Sequence, residues 1–213
     1  MIKYGYSLKR SARRSISVSV KDDNSLVVHA PLRMSVADIE KFLISKSGWI
    51  DAHMKRNGDK NAALSDVISY TNVLVAGEPV KLTVDAKNAF SPDGVYIKSF
   101  KSLKKLYVDN LGGRFMLIFN EIRRENNFKC GEVGFKDYKA KWGCCDSAGN
   151  ITFNYKLLML PENLWRYVAA HELCHTVHMN HSKNFYALLG RILPEYKKCR
   201  TELKRYSVIT RMY

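Results

Sequence analysis

The chain has 213 residues, enough to bury a sizeable core in one domain or in one domain with a smaller lobe. Hydrophobic residues make up 46% and charged residues 26%, globular proportions that exclude a disordered or low-complexity chain. No apolar run is long enough to span a membrane, and 35 Lys and Arg against 20 Asp and Glu leave a formal charge of +15.

The N-terminal stretch MIKYGYSLKRSARRS is basic and lacks the apolar core of a secretion signal. Five cysteines without a disulfide-like pattern suit a reducing compartment, so an intracellular protein is expected. Ser15 to Val20 alternates, Lys21-Asp22-Asp23-Asn24 offers a turn and Leu26 to Ala30 returns, which predicts a β-hairpin. Ser35 is placed to cap a helix from about Val36 to Lys55, with Ile39, Phe42, Leu43, Ile50 and Met54 inward. Segments 72–76, 80–85 and 95–100 read as strands around the turn signals Gly77-Glu78-Pro79 and Ser91-Pro92-Asp93-Gly94.

Residues 102–127 suggest a long helix through Leu103, Tyr107, Leu111, Phe115, Ile118 and Ile122. Gly112-Gly113 weakens it by roughly 2 kcal/mol against alanine, enough for a break. Strands follow near 131–142 and 150–156. In the second, Ile151, Phe153 and Tyr155 alternate with Thr152 and Asn154 after a turn at Ser147-Ala148-Gly149, the pattern of a half-buried strand. The order of elements predicts an α+β fold with a β-rich first part and a helical second part. A weakly marked boundary near 88–101 divides it into 1–94 and 95–213, unless the domain is continuous.

Residues 171–181 read HELCHTVHMNH and hold four of the six histidines. Pro161 and Glu162 are suited to open a helix here, and Leu164, Trp165, Val168, Ala169, Leu173 and Val177 give it a broad apolar surface. On a helix His171 and His175 lie one turn apart and can share one zinc ion, with Glu172 acting on a water as general base. A buried helix carrying two histidines and a glutamate needs a reason for them, and a metal provides one.

Zinc normally wants a third protein ligand. His181 is the choice: the intervening residues can end the helix and turn at Asn180, a residue that tolerates the left-handed backbone, and Ser182 can cap a following helix. That helix shows a core stripe of Phe185, Leu188, Leu189 and Ile192. Glu195, 20 positions after His175, is the rival ligand, but Pro194 places it at a helix start. His178 is expected to pack or hydrogen-bond, with donation to substrate as the alternative. Cys174 reads as a buried small hydrophobe, and Cys144 and Cys145 lack metal-ligand spacing.

The segments KAKWGCCDSAGNITFNYKLLMLP (139–161), YVAAHELCHTVHMNHSKNFYALL (167–189) and LPEYKK (193–198) resemble the YgjP-like metallopeptidase family, a group of predicted metal-dependent hydrolases. A looser match through SARRSISVSV, VVHAPLRMSVADIEKFLISKSGWI and GEP extends it over nearly the whole chain. The site is more distantly similar to SprT-like and WLM proteases linked to DNA–protein crosslinks. The resemblance implies a cytoplasmic protein and a zincin-like domain with an active-site helix, His171, His175 and His181 as ligands and Glu172 as base. Lys141-Trp142-Gly143-Cys144-Cys145 departs from the family's Arg-Trp-Gly-Ser-Cys, and an Arg-to-Lys change matters where the contact is bidentate. With His178 at a metzincin's turn glycine and no methionine after His181 before Met212, a metzincin is not expected.

Three functions follow. The first is a zinc peptidase, with Tyr186, His178 and Lys141 as candidate oxyanion donors, Asn154 touching the substrate or supporting the residues that do, and a strand at 150–156 pairing an extended peptide along its edge. The second is hydrolysis of nucleoside triphosphates or other phosphoanhydrides, drawn by the basic surface. The third is a nucleic-acid-associated module with structural zinc, against which Glu172 argues, since such a site needs no base. The positive excess, concentrated before Asp22 and after Lys197, favours nucleic acid, nucleotides or acidic proteins as partners.

Overall fold

The computed structural model describes residues 4–21, 24–63, 67 and 69–213. The chain is mixed α+β, with a β-rich N-terminal region followed by helices. It divides into two compact units, Met1–Ser65 and Asp66–Tyr213. The division falls upstream of the expected boundary at 94/95, so the middle strands belong with the helical part.

In the first unit a three-stranded sheet has the order β1-β3-β2, formed by Tyr6–Ser11, Leu26–Pro31 and Ser17–Val20. The expected hairpin is β2–β3, antiparallel with Val20 opposite Leu26. Its central turn residues, Asp22 and Asp23, lie outside the described residues. β1 runs parallel to β3, and its residues 7–11 are exposed. With no buried face it has no alternation to read, which is why the sequence showed only a basic segment there. Leu26, Val28 and Ala30 of β3 point into a core shared with Ile39, Leu43 and Ile50.

The expected single helix over 36–55 is two helices, α1 (Val36–Ser45) and α2 (Ser47–Ala63). Ser35 caps α1, accepting a hydrogen bond from the Asp38 N–H at 3.1 Å. The break falls at Lys46, within a Ser-Lys-Ser-Gly run of mostly weak helix formers. Phe42 and Met54 are only half-buried against the core.

The second unit begins with a sheet of order β4-β5-β7-β6, made of Asn72–Val75, Glu78–Val84, Gly94–Ile97 and Ala89–Ser91. The strand expected over 95–100 stops at Ile97, and Phe100–Ser102 already forms a 3-10 turn. Gly77, at φ +98°, lies so close to Pro161 that a Cβ would stand 2.7 Å from the proline ring, and its N–H bonds to Met159 O at 2.8 Å. The β4–β5 turn is thus fastened to the segment that opens the histidine helix.

Helix α3 (Leu103–Glu125) passes through Gly112-Gly113 without a break. Burial of Leu103, Leu106, Tyr107, Phe115, Phe119 and Ile122 outweighs the glycine penalty. Leu106 and Phe119 take inward places that the sequence reading gave to Leu111 and Ile118, which are half-buried.

The last sheet has the order β8-β10-β9, from Val133–Lys136, Ile151–Asn154 and Gly143–Cys145. This corrects the expectation that the strand at 150–156 offers an edge. β10 is central, parallel to β8 and antiparallel to β9, and the edge facing the histidine helix is β9. The segment expected to continue as strand to 142 is a loop after Lys136. Tyr155–Met159 coils into a fully buried 3-10 helix.

The chain ends with α4 (Glu162–His175), α5 (Lys183–Ile192), α6 (Tyr196–Leu203) and a 3-10 helix over Lys204–Arg211. Among the described residues no helix is long and apolar enough to cross a membrane.

Candidate metal centre

α4 is buried on most of its surface. Leu164, Trp165, Tyr167, Val168, Ala169, Ala170, Leu173 and Cys174 all face the interior. Pro161 stands at the N-cap and Glu162 in the first turn, where its charge suits the helix end. The helix stops after His175: the Thr176 hydroxyl donates to Leu173 O at 2.7 Å and the His178 N–H to Cys174 O at 2.9 Å. Asn180 makes the return without a left-handed backbone, contrary to expectation.

The return brings His181 over the two helical histidines. Ring centroids lie 4.9 Å apart for His171 and His175, 5.0 Å for His171 and His181, and 4.7 Å for His175 and His181. One ligand atom from each falls within 4.8 Å of the others. Ser182 caps α5, accepting from the Phe185 N–H at 3.3 Å. That cap sets Phe185 beneath all three imidazoles, at 4.6–4.9 Å from each. The sequence reading counted Phe185 only as core. Leu189 is buried beside it, while Leu188 and Ile192 are half-buried.

The ring chemistry suits a cation. His175 Nδ1 lies 3.1 Å from the carbonyl of His178. A carbonyl only accepts, so Nδ1 carries the proton and Nε2 is left with a lone pair facing the cluster. His171 Nε2 and His181 Nε2 approach to 3.0 Å, and His171 Nδ1 is buried without a partner among the described residues. Burial, then His175, His181 and Arg200, push His171 down to about 3. His175 is lowered too, chiefly by burial. Three imidazoles that converge on one point, two of them held against protonation by burial, are a donor set for a divalent metal.

Glu172 is 5% exposed. Its carboxylate lies against β9, where a Cβ at Gly143 would stand 2.5 Å from Oε1. Only glycine leaves room there. Burial pushes Glu172 up to about 7, partly offset by the Lys141 ammonium. Gly143 was not singled out by sequence reasoning, although it lies in the Trp-Gly-x-Cys segment that carried the resemblance.

The loop leading into β9 is held from beneath by buried polar groups. The Asn154 amide donates to Tyr138 O at 2.7 Å and Lys141 O at 3.0 Å, and its backbone N–H to Trp142 O at 2.8 Å. Lys156, 1% exposed, places its ammonium 2.8 Å from Asp137 and 3.1 Å from Thr210 O. The Thr210 hydroxyl lies 3.1 Å from Lys139 O and 2.9 Å from Ser207 O. Asn154 is therefore a scaffold residue, fully buried, and not a group that can meet substrate.

The remaining candidates are dispersed. Lys141 is exposed, its ammonium 4.6 Å from the Tyr138 ring centre. The His178 side chain is outside the cluster, and its contribution is the carbonyl that orients His175. Tyr186 stacks on His181 at 6.0 Å. Glu195 is exposed at the start of α6, paired with Lys198 at 2.5 Å and away from the histidines.

A family model for the YgjP-like metallopeptidase domain matches residues 14–206. No curated protein and no solved structure matches the chain.

Proposed function

Because the chain belongs to the YgjP-like metallopeptidase family, and so to metal-dependent hydrolases, we propose that it is a zinc peptidase. In this reading His171, His175 and His181 hold the ion and Glu172 is the general base. The observation that carries it is the convergence of three imidazoles above Phe185, two of them on the same helix as a buried carboxylate. Zinc there supplies a Lewis acid that acidifies water near neutrality and polarises a carbonyl.

The rest of the chemistry falls to the chain. Glu172 takes a proton from the attacking water and returns it to the leaving amine nitrogen. Gly143 keeps the carboxylate close to β9, and the outer edge of β9, which has one strand partner, can pair with an extended peptide. Lys141, carried on the clamped loop and acting on the Glu172 charge, is the candidate donor to the carbonyl oxygen as it gains charge. A reducing, cytoplasmic setting belongs to the same reading and is supported by five cysteines that are all free thiols.

The test is removal of metal with a chelator, followed by return of zinc, with an unfolded protein and nucleoside triphosphates offered as substrates. Restored cleavage of the protein is the expected result. Restored hydrolysis of the triphosphates alone would move the reading to phosphoanhydrides, and no restored turnover would contradict both.

A further inference from the structure

Beside the histidine cluster, α5 and α6 enclose an open groove of about 770 Å³. Its walls carry Lys183, Lys197, Arg200 and Lys204, together with Tyr186 and Tyr196. A run of rings joins it to the centre: Tyr186 stacks with His181 at 6.0 Å and with Tyr196 at 5.9 Å. The Arg200 guanidinium stands 5.5 Å from the Tyr186 ring centre. A molecule lying in the groove is therefore within a ring or two of the metal ligands.

The charge in this groove is uncompensated. Among the described residues no carboxylate is in ion-pair range of these four cations. Glu195 is held by Lys198, and Glu202 accepts from Asn163 at 2.9 Å. Four like charges repel one another, and a groove of one sign concentrates ligands of the other. Lys197 and Arg200 lie one turn apart on α6 and Lys204 follows at its C-cap, a row spanning roughly 10 Å. That is the length of about three residues of extended chain.

We infer that this groove binds an acidic segment of a peptide, so that the enzyme selects substrates with clustered Asp or Glu within a few residues of the scissile bond. The inference rests on the peptidase reading for its link to cleavage, but the binding stands on the groove alone. A single nucleic-acid strand fits less well. Bases need open aromatic faces to stack on, and Tyr186 is already engaged by His181, Tyr196 and Arg200.

The experiment uses the zinc-loaded full chain and two peptides of one backbone, with Asp-Glu-Asp or Asn-Gln-Asn flanking the scissile bond. The acidic-to-neutral ratio of kcat/KM is expected to exceed tenfold in wild type and to fall below about twofold in K197E/R200E. A charge-matched control, K101E/K104E, at exposed positions in the 3-10 turn before α3 and in its first turn, should keep the wild-type ratio. Binding of the labelled acidic peptide to E172Q, read by fluorescence anisotropy, should weaken at least tenfold when K197E/R200E is added. Equal handling of both peptides by wild type, or an unchanged ratio in K197E/R200E, overturns the inference. Displacement of the peptide by a single-stranded oligonucleotide of equal charge at lower concentration also overturns it, in favour of nucleic acid. If neither peptide is cleaved but the acidic one binds E172Q through Lys197 and Arg200, the peptidase reading fails and the groove assignment stands.

Discussion

The two units bury different things. Among the described residues, the fully buried side chains of the first are all aliphatic: Leu26, Val28, Ala30, Ile39, Leu43 and Ile50. The second buries Asn154, Lys156, Glu172 and Thr210 among its apolar residues. A polar group inside a protein is costly unless it is bonded. Three of these four are bonded to the loop 137–142 or to each other, and the fourth is the carboxylate that the loop leads to. The difference separates a core that only holds shape from one that holds a reactive group in place. Substitutions in the first unit should change stability alone, whereas those in the second should change stability and turnover together.

The largest expected break lies at the buried ion pair. Asp137→Ala leaves Lys156 charged in the interior without a carboxylate, facing the Thr210 carbonyl and the Tyr155 ring, and a cost of about 3–5 kcal/mol is expected by denaturant unfolding. Lys156→Met should cost less than half as much, because Asp137 is 43% exposed and can turn to water. Equal costs would mean that the burial asymmetry does not govern the pair.

Next comes Gly143→Ala. Its Cβ must displace the Glu172 carboxylate, and a misplacement of that size is expected to lower kcat about 100-fold while thermal unfolding changes little. In the first unit, Ile39→Val should lower stability by about 0.5–1.5 kcal/mol with kcat/KM per folded molecule unchanged. A changed kcat/KM there would break the comparison. The smallest effect is expected at Gly113, exposed in the middle of α3 with open space where a Cβ would go. Gly113→Ala should stabilise by about 0.5–1 kcal/mol in the same unfolding assay.

The same contrast marks what the sequence could tell. The histidine helix, the turn to His181 and the Ser182 cap were legible because each depends on residues near one another in the chain. The position of a strand within a sheet was not. Alternation in 150–156 reports which faces are buried, but it is silent on neighbours, so β10 was read as an edge although β9 holds that place. At three residues β9 is too short to alternate. Lys156 gave no signal because lysine ordinarily belongs at the surface, and only the fold brings Asp137 and Thr210 to it. The uncompensated face of α6 was visible as charge, but its nearness to His181 depends on the Tyr186–Tyr196 stack.

The most direct test of the account is metal content and cleavage of an unfolded protein, measured on the same samples of wild type and Glu172→Gln. The account predicts one zinc per chain in both and a loss of turnover of roughly 100-fold or more in the variant alone, as expected for removal of a general base. Wild type without metal, or Glu172→Gln as active as wild type, would contradict it.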